Sequence, residues 1–365
     1  MVAEHLPLAG RVVGESLKPG EQFLAEIREQ PAALARLLEH EQEFAEVATA
    51  ARAHDSTIVR MVGHGSSDNA ASYGVYAFGL LPRWTALRDS ITLTVHSAPG
   101  PDLAGSIVIG LSQSGRTPDV VDYVERARLS GAFTIALTND VESELAAAAE
   151  AVLPLGAGKE HAIAATKTYL NQVAALALLA AHAAGQGHRI AEGLREIVDL
   201  LGDSIPAFEE RMPAVAAPLA FAARMFVIGR GAEFATAREI ALKLLETCRV
   251  AAEPLTATDL AHGPVAALDP QFPVWAIASE DEALAATLEA AARVRETGAA
   301  LVASGSAAER IEGARYVIPT PKPPLSLLSP LLSVVPGQLF AWALARAKGL
   351  DPDQPRGLSK VTLAR

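Results

Sequence analysis

The chain has a single cysteine, Cys248, in 365 residues. No internal disulfide can form and no cysteine-rich metal centre can be built; a reduced, cytoplasmic setting is the expectation. Basic residues are in the minority: 31 Lys and Arg against 42 Asp and Glu leave a formal charge of −11. That balance argues against duplex nucleic acid or an anionic membrane as partner, since both need a basic surface. A small anionic ligand needs only local donors and stays open. Long apolar runs are missing too. The longest is 173-VAALALLAA-181, too short to span a bilayer and expected to be a buried helix. The opening MVAEHLPLAGRV lacks the basic-then-apolar pattern of a signal peptide. No Gly-Lys-Ser/Thr follows a glycine loop, and Asp68 and Phe234 stand where a dinucleotide fingerprint requires its third glycine. ATP and NAD are not indicated, and neither a cofactor nor a metal is expected.

The length favours two domains. The segment 22-QFLAEIREQPAALARLLEH-40 has apolar residues at helical spacing, punctuated by Pro31. From residue 56 onward strand and helix alternate: 57-TIVRMVG-63, 106-SIVIGL-111, 132-AFTIALT-138 and 151-AVLPL-155 are short apolar runs, with 118-PDVVDYVERARLSG-131 helical between two of them. Such alternation predicts a parallel sheet covered by helices on both faces. The scheme recurs, because 224-RMFVIGRGAEFATA-237 resembles 60-RMVGHGSSDNAA-71 and is followed by 272-FPVWAIAS-279, 299-AALVASGS-306 and 315-RYVIPTP-321. The expectation is an α/β chain of two like domains, joined through helices around 164–216. The segments are 1–40 (helical), 41–200 (first domain), 201–348 (second domain, ending in a helix from about 330 despite Pro336) and 349–365 (a polar, irregular tail).

Two stretches carry chemistry. In 110-GLSQSGRTPD-119 a strand runs into Ser112, Gln113, Ser114, Gly115, Arg116 and Thr117, then a helix begins at Pro118. Hydroxyls and free amides at a helix N-terminus suit a phosphate; the plainer meaning is a capped turn. The loop 63-GHGSSDN-69, with Ser66 and Ser67, is of the same kind. In the second stretch, Glu239, Lys243 and Glu246 share one face of a helix over about 232–248, and His262 follows in a polar turn. Taken alone, the three charges read as a solvated stripe, with Ile240, Ala241, Leu244, Leu245 and Cys248 opposite. Taken together with an anion cradle, they match a sugar isomerisation. A carboxylate moves a proton between C1 and C2, an imidazole opens the ring, and a lysine forms an imine or balances an enol-type charge.

The turn Ser-Gln-Ser-Gly-x-Thr, 160-EHAIAATKTY-169, 242-LKLLET-247, 261-AHGP-264 and 353-DQPRGLSKVT-362 together resemble the tandem sugar isomerase (SIS) domains of glucosamine-6-phosphate synthase. The likeness begins near residue 22. The glutaminase half and its N-terminal cysteine have no counterpart, so the resemblance is nearer to the stand-alone deaminases of amino-sugar phosphates. It implies three-layer domains with the C-terminal tail over the active site. It assigns Ser67, Ser112, Gln113, Ser114 and Thr117 to the substrate phosphate and makes Glu246 the C1–C2 base. His262 becomes the ring-opening group, supplied across a homodimer interface. Lys360 reaches the sugar carbonyl, and Lys243 supports charge near Glu246. Leu245, Ala165, Ala261 and Thr258-Asp259 depart from the synthase pattern. The implied reaction turns glucosamine 6-phosphate into fructose 6-phosphate and ammonia. A fructosamine-phosphate deglycase, an ammonia-dependent synthase and a non-catalytic sugar-phosphate sensor are the alternatives.

Overall fold

The computed structural model describes residues 18–360. Ten strands form two five-stranded parallel sheets. The first contains β1 (Ile58–Val62), β2 (Thr85–Arg88), β3 (Ile107–Ser112), β4 (Phe133–Thr138) and β5 (Ala151–Pro154), in the order β2-β1-β3-β4-β5. The second contains β6 (Arg224–Ile228), β7 (Ala251–Leu255), β8 (Pro273–Ile277), β9 (Ala300–Gly305) and β10 (Tyr316–Pro319), in the order β10-β9-β8-β6-β7. Read from the β2 and β7 edges, the two orders are the same, so the repeat legible in the sequence is a repeat of topology. β3 and β8 are buried along their whole length, the pattern of central strands covered on both faces.

Two strands escaped the sequence reading, and both are sheet edges. β2 is a four-residue segment with no residue fully buried, so it lacks an apolar signature. β7 reads AAEPL, and Pro254 is tolerated there because an edge strand has one side without ladder bonds.

The opening helices are Glu21–Arg28, Gln30–Leu38 and Glu41–Ala53. The helices that join the two halves are Lys167–Ala183 and Gly187–Ala216. They are core elements rather than surface connectors: Leu170, Leu176, Leu178, Leu194 and Leu201 are all fully buried. The expected C-terminal helix runs Ser329–Ala347 and contains Pro336. The apolar span Ser326–Ala347 is long and apolar enough to cross a membrane, but 94% of its most apolar stretch is packed inside the molecule. One continuous core joins the halves, with Met61 and Ile109 of the first sheet and Met225 and Trp275 of the second in the same cluster. The helix Glu233–Cys248 lies at the centre of this junction. It packs against Ser329–Ala347, where a Cβ on Gly337 would stand 2.3 Å from the Ile240 side chain, and against the helix Ser66–Leu80 of the first half.

Candidate active site

In both sheets the chain reverses direction beside its first strand, between β1 and β3 and between β6 and β8. Loops leaving such neighbouring strands diverge and open a crevice at the carboxyl edge. In the first half these loops are the two hydroxyl-rich turns. The turn after β1 ends at the helix Ser66–Leu80 and that after β3 at the helix Pro118–Leu129.

Their conformation is set by glycine. Gly115 has φ +65°, and a Cβ there would fall 1.9 Å from Ser143 Oγ. Its amide donates to Ser112 Oγ at 3.1 Å, and Ser112 Oγ lies 3.1 Å from Thr117 Oγ1. Ser67 Oγ accepts from Gln172 Nε2 at 2.9 Å. Among the described residues neither helix start takes a side-chain cap, although Thr117 occupies the N-cap position. The plainer reading holds for the turn, which the Ser112 and Ser114 hydroxyls close by taking the Gly115 and Arg116 amides; it does not extend to the helix start at Pro118, which lacks a side-chain cap and so suits an anion.

The crevice opens into a cavity of about 490 Å³ whose lining includes Ser67, Ser112, Gln113, Ser114, Thr117, Glu246 and Lys360. Seven of the nine residues singled out from sequence thus meet in one place. Glu246 arrives from the second half on Glu233–Cys248. Lys360 arrives in the irregular tail, which folds across the opening with Leu358 and Ser359.

Lys243 does not reach the cavity. It is fully buried one turn behind, its Nζ 2.6 Å from Glu246 Oε2 and 3.3 Å from Glu239 Oε1. Ser66 Oγ and Asn69 Nδ2 each donate to Glu239 at 2.9 Å. The reading of these charges as a solvated stripe is overturned, because the helix has no solvent face there. The first half covers it. Leu245, placed on the apolar face from its spacing, is instead 56% exposed; Cys248 is core, as expected. Burial alone would drive the Lys243 amine down, but Glu239 and then Glu246 outweigh it and hold the group above its ordinary value. Lys243 is therefore a fixed ammonium.

His262 also stands outside its own chain's cavity. It is exposed, at the end of the short helix Ala257–Ala261.

Three lining residues escaped the sequence reading. Glu160, inside a segment noted only for its resemblance, is buried and accepts the amides of Thr166 and Thr168 at 2.9 and 3.2 Å. It also holds Lys360 Nζ at 2.8 Å, and the Ala162 carbonyl takes a second Lys360 hydrogen at 2.6 Å. His64 and Asp119 pair at 2.8 Å. The pairings that matter to the cavity left no local signal, since Lys360 lies 200 residues from Glu160 and Asp119 lies 55 from His64.

The matching crevice of the second half is chemically different. Its loop after β8 carries Glu280, Asp281 and Glu282, which line a shallow depression with Arg310. Burial pushes Asp281 up to about 6. Among the described residues, the hydroxyl-rich lining of the first crevice is therefore not repeated in the second.

The SIS domain model matches residues 54–182 and 219–346. Glutamine–fructose-6-phosphate aminotransferase (isomerizing) of Aeropyrum pernix is 34% identical over 93% of this chain and 56% of that protein. Its counterpart from Symbiobacterium thermophilum is 32% identical over 97% of this chain and 62% of that protein. The chain spans somewhat more than half the length of these curated relatives. The C-terminal domain of glucosamine-fructose-6-phosphate aminotransferase from Francisella tularensis superposes with a TM-score of 0.83 at 22% identity, covering 92% of this chain and 98% of that one. Glucosamine-6-phosphate deaminase from Thermotoga maritima superposes with a TM-score of 0.75 at 22% identity, covering 94% and 100%. With two matched domains, two sheets of one topology and relatives aligned along nearly its whole length, the chain belongs to the SIS domain family.

Proposed function

We propose that the protein converts a 2-amino-2-deoxyhexose 6-phosphate, glucosamine 6-phosphate in the first instance, to the ketose phosphate and ammonia. The observation that carries this reading is the meeting of Glu246, Lys360 and the hydroxyl turn, from three distant segments, around one cavity of about 490 Å³. The turn grips the phosphate at the end remote from the reacting carbons, which supplies positioning. Glu246 takes the C2 proton of the open-chain sugar and returns it to C1, leaving the nitrogen doubly bonded to C2. Lys360 attacks C2, its nitrogen replacing the departing ammonia, and one water hydrolyses the new imine to fructose 6-phosphate and free lysine. The Lys243 ammonium, 2.6 Å behind Glu246, offsets negative charge as the enol-type intermediate forms. It is too strongly held as a cation to act as the imine-forming amine, so that role falls to Lys360. Ring opening is assigned to His262 of a second copy in a homodimer, since His262 does not line the cavity of its own chain. A reducing cytoplasm is the setting in which the single buried thiol would persist.

The test follows ammonia and fructose 6-phosphate together after adding glucosamine 6-phosphate. One-to-one appearance of both is expected. Glu246→Gln should lower turnover by about 10³-fold while binding of glucitol 6-phosphate, which has no carbonyl to react, survives; normal activity in that variant removes Glu246 from the mechanism. The aminotransferase relatives favour a second reading of the same site, run in reverse from fructose 6-phosphate and ammonia. Glucosamine 6-phosphate formation at high ammonia, with no net deamination, would select it. A deglycase would show instead as release of a larger amine from a fructosamine phosphate, and a sensor as binding with no product from any of these.

A further inference from the structure

An imidazole unused so far stands in the cavity wall. His64 lies between Gly63 and Gly65 in the turn after β1, beside Ser66 and Ser67. Its Nε2 is 2.8 Å from Asp119 Oδ2, and its side chain keeps 56% exposure where it lines the cavity. Asp119 is the second residue of the helix Pro118–Leu129, two positions past Thr117. Its side chain is 12% exposed, and Oδ1 is buried with no hydrogen-bond partner among the described residues. Each of the two anion loops thus contributes one member of the pair, and the pair bridges the crevice.

The charges around the cavity make this pair significant. The ionisable groups in the lining are His64, Asp119, Glu160, Glu246 and Lys360. Lys360 pairs with Glu160 at 2.8 Å, so its charge is offset there, and its proposed place is at the sugar carbonyl rather than the phosphate. Arg116, the arginine of the turn itself, points away to Asp140 at 3.2 Å and Glu144 at 3.9 Å. On the adjoining helix, Asp68 is neutralised by Arg88 and Arg238. A phosphate dianion in the cradle would meet hydroxyls, amides and a helix end, with the Asp119 carboxylate close by. Two anions so placed repel unless a cation stands between them.

We propose that His64 is that cation, a binding residue that donates to the substrate phosphate through Nδ1 while Asp119 holds Nε2; this rests on the phosphate reading of the cradle given above. The chemistry of the ring makes binding proton-linked. Asp119 can only accept, so Nε2 carries a hydrogen. A neutral ring would then present Nδ1 as a lone pair toward the phosphate; only the doubly protonated ring donates on both sides. Ligand and proton therefore bind together, and affinity falls as the proton becomes scarce.

Titration calorimetry of the full chain with glucitol 6-phosphate, and with glucitol as control, tests this between about pH 6.5 and 8.5, where a phosphate monoester is mostly dianionic. Wild-type affinity should weaken roughly tenfold across that range, as expected for loss of one charge-assisted hydrogen bond. His64→Arg should hold affinity flat, and His64→Gln should be roughly tenfold weaker at the low end and flat above it. In turnover, the loss in His64→Gln should appear in KM far more than in kcat. An unchanged affinity in His64→Gln overturns the proposal, as does a fall in kcat with affinity intact, which would make His64 a proton carrier. If wild-type protein binds glucitol 6-phosphate no better than glucitol, the phosphate cradle itself is wrong, a failure distinct from that of His64.

Discussion

Lys243 shows how far one side chain's meaning depends on its surroundings. On an isolated helix its spacing from Glu239 and Glu246 is an ordinary surface pair worth a few tenths of a kcal/mol. Here Lys243 and Glu239 are both fully buried, so each is the other's compensation for lost water. Removing one partner of such a pair costs about 3–5 kcal/mol, because the other charge is left stranded. Lys243→Met should lower the thermal midpoint by that equivalent and deplete soluble protein. Adding Glu239→Gln to it should recover part of the loss. A single variant as stable as wild type would show that Glu239 is not held as a carboxylate.

At the scale of elements, the tail is the part whose order needs explaining. Its described residues, up to Lys360, hold no helix or strand, yet Lys360 arrives at a defined place. Asp353 accounts for it by capping the helix Glu21–Arg28: its carboxylate accepts the amides of Gly20, Gln22 and Phe23 at 3.0, 3.2 and 2.7 Å. Asp351 takes a further hydrogen bond from Gly20 at 3.1 Å. The same helix carries buried Glu26, whose carboxylate holds the amides of His161 and Ala162. Burial raises Glu26 above its ordinary value, against those amides. One short helix therefore anchors both the root of the tail and the strap that receives Lys360. Asp353→Ala should cost about 1–2 kcal/mol of cap energy, paid locally. The expected result is a fall in kcat of tenfold or more, early proteolytic cleavage after residue 349, and glucitol 6-phosphate affinity within about twofold of wild type. Unchanged turnover would mean that the tail is held without this cap.

For the molecule as a whole, the unassigned question is where His262 acts. His262 is exposed and is not among the residues lining its own chain's cavity. A second copy can supply it. Glu246→Gln and His262→Ala, each inactive alone, should complement when co-assembled. In a two-fold dimer with shared sites, half the dimers are mixed and each has one intact site, giving about a quarter of wild-type activity. If each chain used its own His262, the mixture would stay inactive.

The strand-to-turn-to-helix pattern, the doubled architecture and the hydroxyl-rich turn were legible in the chain, because each is built from local signals: a β-branched run, a glycine, a helix start. The edge strands β2 and β7 were not, since half-exposed strands bury too little to need apolar residues. Residue types alone also limited the chemistry, with one cysteine and no nucleotide fingerprint. What only the tertiary structure decided is which charges lose their water. The close packing of Glu233–Cys248 against Ser66–Leu80 turned an apparent surface stripe into a buried ion cluster with Glu246 at its open end. The same folding brought Glu160 to Lys360 across 200 residues, and Asp119 to His64 across 55. Sequence spacing carries no record of such pairs, because the free energy that makes them matter arises from desolvation, and desolvation exists only once the chain has closed.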